Sequence, residues 1–531
     1  MKAPETDSAA GGLGARTEGG ETVHRIELAD AAATCRLGSD LALLLRPGDL
    51  VALAGDLGAG KSTLARAAIR TIADDPDLEV PSPTYTLVQS YDTVPPVAHF
   101  DLYRIADPAE LDELGLDEAR RSGIVMVEWP ERDGAILAEA AVVVELAMAP
   151  EGGRIATITA RGAAAGRIAR TLAIRAFLTE AGLGTAERHR FTGDASTRRY
   201  ETLEDGGETV VLMDAPRQPD GPPIKDGLPY SRIAHLAEDV VPFVALAEAL
   251  RSRGFAAPAI RRADLGGGLL LLDHLGSGSV LGADGRPIAE RYEAAVLCLA
   301  ELHRCEWPSE LPVEGGIVHA VPPYDRRAMQ AEVDLLIDWY LPFARKRQAT
   351  PDERALYGEI WQALFDELEA AETSLTLRDF HSPNIIWRPE AEGTPRLGLI
   401  DFQDAMIGPA AYDVASLAQD ARVDIPAELE AALVSAYIAA RRSARPDFDA
   451  FGFERDYAIM AAQRASKILG IFVRLCERDD KPQYLRHIPR LKAYLRRTLD
   501  HPSLAALRSL YADWSVLDDP AAFPASGRQT T

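Results

Sequence analysis

Cysteine is scarce in this 531-residue chain, and none of its four, Cys35, Cys298, Cys305 and Cys476, stands in a C-x-x-C pair or at a zinc-ligand spacing. That argues against a disulfide scaffold: the four read as buried thiols of a reducing compartment, and His303 with Cys305 reads as helix packing, not a metal site. Positive charge is also short. Lys and Arg number 57 against 81 Asp and Glu, a formal net charge of −24. Such a balance argues against a broad electrostatic footprint for nucleic acid or anionic lipid, so an RNA partner would be met through other proteins. No stretch approaches the roughly 18 consecutive apolar residues of a membrane helix. Residues 1–22 carry Gly, Ala and acids without the apolar core of a signal peptide, and read as a disordered leader. The expectation is a cytoplasmic protein with no membrane partner.

What is present is a well-stocked core. Hydrophobic residues make up 47% of the chain and charged ones 26%, a balance that folds, and the length exceeds what one core serves, so two domains are expected. From Leu41 the run "LALLLRPGDLVALAGDLGAGKSTLARAAIRTIA" reads as a helix end, a Pro47-Gly48 turn, a buried strand, a Gly-rich loop and an amphipathic helix. Strand-like runs follow at "TYTLVQSYD", "PVAHFDLYRI", "GIVMVEWPE", "AVVVELAM" and "GRIATITARG", with a helical "PAELDELGLDEARR" among them. These outline a small α/β domain over residues 23–165. At "ARGAAAGRIAR" the texture changes from strand to helix, which places a boundary near residue 165. Beyond the helical "RTLAIRAFLTEAG", two strand-like segments, "RRYETLE" and "ETVVLMDAP", are joined by Asp205-Gly206-Gly207, a hairpin signal. From about Tyr292 the pattern is mostly helical, with one β-rich interruption at "NIIWRPEAEGTPRLGLIDFQDA"; residues 516–531 read as a disordered tail.

The loop "GDLGAGKS" matches G-x-x-x-x-G-K-[ST] between a strand and a helix, the context that the motif requires. Its chemistry is phosphate binding: glycines let backbone N–H groups curl around phosphate oxygens, the lysine neutralises charge, and the hydroxyl holds Mg²⁺. Gly55, Gly58, Gly60, Lys61 and Ser62 fill those roles. A cation on the phosphates also needs a carboxylate from a neighbouring strand, and Asp101 in "HFDLYR" and Glu128 in "MVEWPE" both end strand-like runs.

With "PSPTYTLVQSY", "HFDLYRI", "ELDELGLDEA" and "VEWPER" following the loop in that order, residues 25 to 160 resemble the ATPase subunit of the bacterial tRNA threonylcarbamoyladenosine (t6A) machinery, the TsaE family. The resemblance implies ATP on the loop, a switch-like role for the segment carrying Thr84, and Asp101 and Glu128 supporting Mg²⁺ and hydrolysis, with Trp129 flanking the site. It implies two partner proteins, TsaB- and TsaD-like, which modify adenosine 37 of tRNA, so that tRNA is met only indirectly.

A second constellation stands far downstream, in "LRDFHSPNIIW" and "LGLIDFQDA". Phosphoryl transfer to a hydroxyl needs one carboxylate at the acceptor and an Asn plus a second Asp on the metals, because positioning and charge neutralisation supply most of the catalysis. Asp379 and Asn384 reproduce the D-x-x-x-x-N of a kinase catalytic loop, and Asp401 in "IDF" stands where a metal-binding Asp follows a strand. "FTGDASTRRY" would form the lip over the phosphates, "GGLLLLDHLG" the link between two lobes, and Asp413 in "GPAAYDVASL" a brace for the catalytic loop.

These residues resemble the aminoglycoside phosphotransferase superfamily. Residues 168 to 505, through "GDAS-x-RRY", "VLMDAP", "LRDFH-x-x-N" and "KILGIFVRLCERDDKPQYLRHIPRLKAYL", are similar to the cell-wall amino-sugar kinases of the AmgK family, which phosphorylate the anomeric hydroxyl of N-acetylmuramate and N-acetylglucosamine. The resemblance implies Asp379 as the group orienting or deprotonating the sugar hydroxyl, Asn384 and Asp401 on Mg²⁺, and Gly193, Asp194, Ala195 and Ser196 facing the phosphates of ATP. The fold expected is therefore an α/β P-loop domain followed by an α+β, two-lobed, protein-kinase-like domain over 168–515, with its N-lobe at about 168–275 and its C-lobe at about 285–515.

Two departures stand out. Leu377 occupies the position where a catalytic loop often begins with His, and "ETVVLMDAP" lacks the Lys that usually pairs with the phosphates; Lys225 and Lys346 are the lysines between the halves of the site, and Arg198 or Arg199 could substitute. Arg474 and Arg478 are candidate cations for the carboxylate of N-acetylmuramate. Two other readings stay open: an aminoglycoside, choline or another small alcohol as acceptor, and a non-catalytic scaffold for the ATPase.

Overall fold

The computed structural model describes residues 16–18, 21–105, 114–191 and 198–518. The chain forms two compact units, Met1–Met213 and Asp214–Thr531. In the first, strands β1 (Arg16–Glu18), β2 (Glu21–Leu28), β3 (Leu50–Ala54), β4 (Val88–Tyr91), β5 (Val97–Asp101), β6 (Ile124–Glu128), β7 (Val142–Met148) and β8 (Arg154–Arg161) make one sheet in the order β1-β2-β8-β7-β3-β6-β5-β4. Its helices are α1 (Ala31–Ala42), α2 (Lys61–Ala73), α3 (Leu116–Ser122), α4 (Gly134–Glu139) and α5 (Gly162–Glu180). The centre is parallel, β3 lying between β6 and β7 with β5 beyond β6, and the outer strands are antiparallel.

Period-two alternation decides how that centre is buried. Val51 and Leu53 of β3 point to a core that also holds Leu41, Leu64, Ile69, Ile168 and Leu172, from α1, α2 and α5. Leu50 and Ala52 point the other way, to Phe100, Val125, Val127 and Ile136. Both faces being covered, β3 reads as a continuous apolar run. Gly38 lets α1 lie directly on α2, since a Cβ there would stand 2.5 Å from the Leu64 carbonyl oxygen.

One expectation changes here. The leader was expected to run to residue 22, but Arg16–Glu18 and Glu21 onward are strand: β2 pairs with β8 along its whole length, from Glu21↔Arg161 to Leu28↔Arg154. Ladder hydrogen bonds satisfy the backbone whatever the side chains carry, so composition alone understated this edge. The compact units also divide at Met213, well past the texture change near residue 165. Helix α5 packs onto the sheet, and β9 (His189–Arg190), β10 (Arg199–Asp205) and most of β11 (Glu208–Asp214) precede the division although they form no part of that sheet.

A buried ion network holds that extension. Arg188 is fully buried; its Nε and Nη2 donate to Glu201 at 2.6 and 2.9 Å, and its Nη1 to Asp40 at 3.1 Å and to the Thr171 hydroxyl at 2.9 Å. Arg175 adds a fork onto Asp40, 2.7 Å on each oxygen. Burial opposes the Arg188 charge, but Glu201 and Asp40 outweigh it and hold the guanidinium protonated.

The second unit contains β12 (Pro223–Lys225), β13 (Leu228–Pro229), α6 (Tyr230–Ile233), α7 (Val241–Ser252), β14 (Ile260–Asp264) and β15 (Leu269–Asp273). Next come α8 (Ala289–Leu302), β16 (Glu310–Val313), β17 (Ile317–Ala320), α9 (Arg326–Leu335), α10 (Leu341–Arg345) and α11 (Pro351–Glu367). Then β18 (Thr373–Thr376), β19 (Ile385–Trp387), β20 (Leu397–Leu399) and β21 (Met406–Pro409) frame the β-rich interruption. The last helices are α12 (Ala411–Ala418), α13 (Ala427–Ala444), α14 (Ala450–Asp479), α15 (Ile488–Thr498) and α16 (Ala505–Asp513). The apolar "LLLL" of β15 is buried and pairs antiparallel with β14. The 30-residue α14 is the long spine of the helical part, and Gly470 lets it close on α9, where a Cβ would meet the Leu335 carbonyl oxygen at 2.2 Å.

Val516 to Asp518 are packed, where a disordered tail is expected. Val516 is buried and its carbonyl accepts from the Tyr340 hydroxyl at 2.9 Å, while Lys492 donates to the Asp518 carbonyl at 2.6 Å. Buried donors need acceptors, and the chain end supplies them. The four cysteines are free thiols, and no helix among the described residues is long and apolar enough to cross a membrane.

Arg188→Ala should destabilise the first unit by about 3–5 kcal/mol, because it leaves Glu201 buried without its cation and takes one of two cations from Asp40. Chemical denaturation of the full chain checks this, as a shift of one transition to lower denaturant. Replacing Arg188 and Glu201 together by apolar residues of similar volume, with Asp40 kept for Arg175, should recover most of the loss.

Candidate functional site

In the first unit the strand–loop–helix unit places its chemistry at the carboxyl ends of β3, β5 and β6. The loop turns on three glycines in the left-handed region, Gly55 (φ 135°), Gly58 (φ 80°) and Gly60 (φ 111°), conformations that side chains resist. Gly55 has a second constraint, since a Cβ there would stand 2.3 Å from the Leu146 carbonyl oxygen. Gly60 caps α2, so that Lys61 and Ser62 occupy its first turn. The Lys61 ammonium donates to the Gly55 and Asp56 carbonyls at 2.6 and 3.0 Å and lies 3.6 Å from the centre of the Trp129 ring. Burial lowers its pKa from the ordinary lysine value, with Glu128, Glu131, Asp101 and Asp56 acting against that shift.

Parallel pairing puts Asp101 directly opposite Glu128. Both are buried, at 3% and 2% exposure, too deep to be solvated strand-end acids. The Ser62 hydroxyl donates to Glu128 Oε2 at 2.8 Å, and His99 Nε2 lies 3.0 Å from its Oε1. Asp101 Oδ2 accepts from the hydroxyls of Thr84 (2.9 Å) and Ser82 (3.2 Å), and Oδ1 from the Tyr103 backbone N–H (3.0 Å). Lys61, Ser62, Thr84, Asp101, Glu128 and Trp129 thus meet around one loop. Sequence reasoning missed His99, although its position two residues before Asp101 puts both on one face of the strand.

In the second unit β18 delivers the chain into a loop whose backbone is held by Asp413. Its carboxylate accepts from the N–H groups of Leu377 (2.6 Å) and Arg378 (2.9 Å), and the Ser416 hydroxyl donates to the Arg378 carbonyl at 3.2 Å. Asp413 is the brace expected of it, and Leu377 is simply buried. Arg378 is left-handed, φ 68°, which turns Asp379 out of the line of β18; the Asp379 side chain is 46% exposed. Asn384 Nδ2 ties the trio together, donating to the Asp379 carbonyl at 2.9 Å and to Asp401 Oδ2 at 3.3 Å. Asp401, also left-handed (φ 61°), accepts on Oδ1 from Gln403 Nε2 at 2.8 Å. Asp379, Asn384 and Asp401 are therefore brought together.

Beneath the loop lies an ion cluster that the sequence did not reveal. The Arg378 guanidinium pairs with buried Glu332 and donates to the Ala234 carbonyl at 3.0 Å. Lys467 pairs with the same Glu332 at 2.8 Å, Gln463 donates to it at 2.9 Å, and the Tyr324 hydroxyl donates to it too. Burial pushes the Glu332 carboxyl up, but Lys467 and Arg378 overcome this and hold it at about 2. Burial likewise opposes ionisation of Asp379, while the positive field of His381, Lys467, Arg378 and Arg464 outweighs it and keeps its pKa below the ordinary Asp value.

The other cations considered lie elsewhere in their contacts. Lys225 stands 3.8 Å from Asp334, Lys346 sits over the Phe343 ring, and Arg199 is exposed on β10. Gly193, Asp194, Ala195 and Ser196 lie outside the described residues. His303 is buried against the Tyr437 hydroxyl at 2.9 Å, which is helix packing as expected.

A family model described as threonylcarbamoyl adenosine biosynthesis protein TsaE matches residues 28–155, and one described as phosphotransferase enzyme family matches residues 187–446. The N-acetylmuramate/N-acetylglucosamine kinase of Caulobacter vibrioides is 36% identical over 358 residues, covering 64% of this chain and 96% of that protein. Its namesake from Pseudomonas putida is 33% identical over 328 residues, covering 61% and 86%. At the other end, the tRNA threonylcarbamoyladenosine biosynthesis protein TsaE of Rickettsia felis is 36% identical over 126 residues, covering 24% of this chain and 73% of that protein. Two separate likenesses thus fall on successive parts of one polypeptide, and the chain belongs through the first to the TsaE family and through the second to the phosphotransferase enzyme family, with the N-acetylmuramate/N-acetylglucosamine kinases as relatives.

Proposed function

We propose that the chain is bifunctional: an ATPase that supports threonylcarbamoylation of tRNA adenosine 37 together with TsaB- and TsaD-like partners, and an ATP-dependent kinase for the anomeric hydroxyl of N-acetylmuramate or N-acetylglucosamine. The observation that carries the kinase reading is Asn384, which joins the Asp379 backbone to the Asp401 carboxylate in one rigid group. For the ATPase it is the Ser62–Glu128 contact beside Lys61 and Asp101.

The donor sets suit Mg²⁺, which prefers hard oxygens: the Ser62 hydroxyl with Asp101 and Glu128 at one site, Asp401 with the Asn384 carbonyl at the other. Among the described residues no three His, Cys, Asp or Glu side chains cluster as a complete cage, so phosphate oxygens and water would supply the remaining ligands. When bound, the cation neutralises charge on the phosphates. Asp379 orients the sugar hydroxyl and accepts its proton as that oxygen bonds to phosphorus and the bond to the departing nucleoside diphosphate breaks. An anomeric hydroxyl is more acidic than an ordinary alcohol, so a carboxylate suffices as base. At the other site, Lys61 counters phosphate charge and Glu128, held by Ser62 and His99, keeps a fixed acceptor beside it. The surplus of acidic residues supports meeting tRNA through partner proteins.

Asp379→Asn should lower sugar phosphorylation by about 10²–10⁴-fold and leave partner-stimulated ATP hydrolysis intact; Lys61→Ala should do the reverse. Turnover of a panel of amino sugars, aminoglycosides and choline, alongside ATP hydrolysis with the two partners, checks both. Unimpaired sugar phosphorylation by Asp379→Asn, or turnover of an aminoglycoside or choline in place of amino sugars, would refute the kinase reading.

The pH profile gives a further check. With its pKa depressed in the folded protein, Asp379 is ionised above the usual Asp value of about 3.9 and gains its proton only below it. The kinase kcat/KM should therefore show no acid limb assignable to Asp379 between pH 5 and 8.

A further inference from the structure

Sequence offers two cations on α14 for a carboxylate-bearing acceptor, Arg474 and Arg478, and the structure separates them. Arg478 is already committed: its Nε and Nη2 donate to Asp479 at 2.7 and 2.9 Å on an exposed turn. Arg474 is half-buried, its Nε is fully enclosed without a hydrogen-bond partner, and among the described residues no carboxylate pairs with it at ion-pair distance. Its guanidinium carbon lies over the Tyr230 ring, 4.9 Å from the ring centre.

Position ties this arginine to the catalytic loop from two directions. Tyr230 opens α6, and the carbonyl of Ala234, which ends that helix, accepts from Arg378, the residue before Asp379. Along α14, Lys467 precedes Arg474 by seven residues, two helical turns, so both lie on one face with their Cα atoms roughly 10 Å apart. Lys467 meets Glu332, which in turn holds Arg378. Burial disfavours the charged form of Arg474 and lowers its pKa from the ordinary Arg value. A half-enclosed guanidinium with a free edge, backed by an aromatic face, is a fork for an anion.

We propose that Arg474, stacked on Tyr230, is the specificity residue that binds the carboxylate of an acidic amino sugar, the lactyl group of N-acetylmuramate. The assignment rests on the sugar-kinase reading above. N-acetylglucosamine lacks that carboxylate and gains nothing from the contact, so the two sugars separate recognition from chemistry. A planar guanidinium can grip a carboxylate through two parallel N–H donors, whereas an ammonium offers a single point charge.

The test is steady-state kinetics of the full chain with each sugar for Arg474→Gln, Arg474→Lys and Arg478→Gln. Arg474→Gln should lower the ratio of kcat/KM for N-acetylmuramate to that for N-acetylglucosamine about 10–100-fold, the range for a charged hydrogen-bonding group, chiefly by raising KM for N-acetylmuramate. Arg474→Lys should recover part of the ratio, and Arg478→Gln should leave it within twofold of the parent. An unchanged ratio in Arg474→Gln, including one in which both sugars lose activity equally, would overturn the assignment. Parent protein that phosphorylates neither sugar would instead overturn the sugar-kinase reading, and the assignment with it.

Discussion

One buried ion pair, Arg378 with Glu332, organises the part of the second unit that carries Asp379, Asn384 and Asp401. A guanidinium in the interior is tolerable only beside a carboxylate whose other lone pairs are also satisfied, and Glu332 meets that condition through Lys467, Gln463 and Tyr324. The pair joins α9, which carries Glu332, to α14, which carries Lys467 and Gln463, and through Ala234 to the end of α6. Because Arg378 is immobilised at both its side chain and its backbone, its left-handed φ is enforced, and that turn is what presents Asp379 outward. The same cluster supplies part of the positive field that keeps Asp379 ionised. Position and protonation of Asp379 thus share a cause.

The first unit solves a similar problem by register. Asp101 and Glu128 stand opposite each other because β5 and β6 are parallel, in step, and end together. Neither can drift relative to the other without shifting a whole strand, and a one-residue slip would turn the side chain to the opposite face. The two carboxylates have distinct partners: hydroxyls and a backbone N–H for Asp101, Ser62 and His99 for Glu128. A sheet holds acids by ladder geometry; a loop must hold them by buried charge.

Much of this was legible because phosphate chemistry is written locally. The Gly loop lies within eight residues, and Asp379 and Asn384 lie five apart, so motif and context could be judged together. Asp101 and Glu128 were visible as acids ending apolar runs. His99, Glu332 and Lys467 were not, because each acts on a partner distant in sequence; Arg378 and Glu332 are 46 residues apart and Asp40 and Arg188 are 148 apart. Composition misjudged both chain ends for a related reason. Glu21 and Val516 are held by backbone pairing and by a buried tyrosine, neither of which depends on how polar the neighbouring sequence is.

By itself the sequence determined the order of the two constellations, the strand–loop–helix with its Gly loop and the trio Asp379, Asn384 and Asp401, since short-range spacing and hydrophobic period decide local conformation. Tertiary structure alone decided which acids are buried and charged, and which of Arg474 and Arg478 has no carboxylate partner among the described residues. Those outcomes depend on desolvation and on partners brought from far along the chain, and a charge in the interior is stable only where folding delivers its counter-charge.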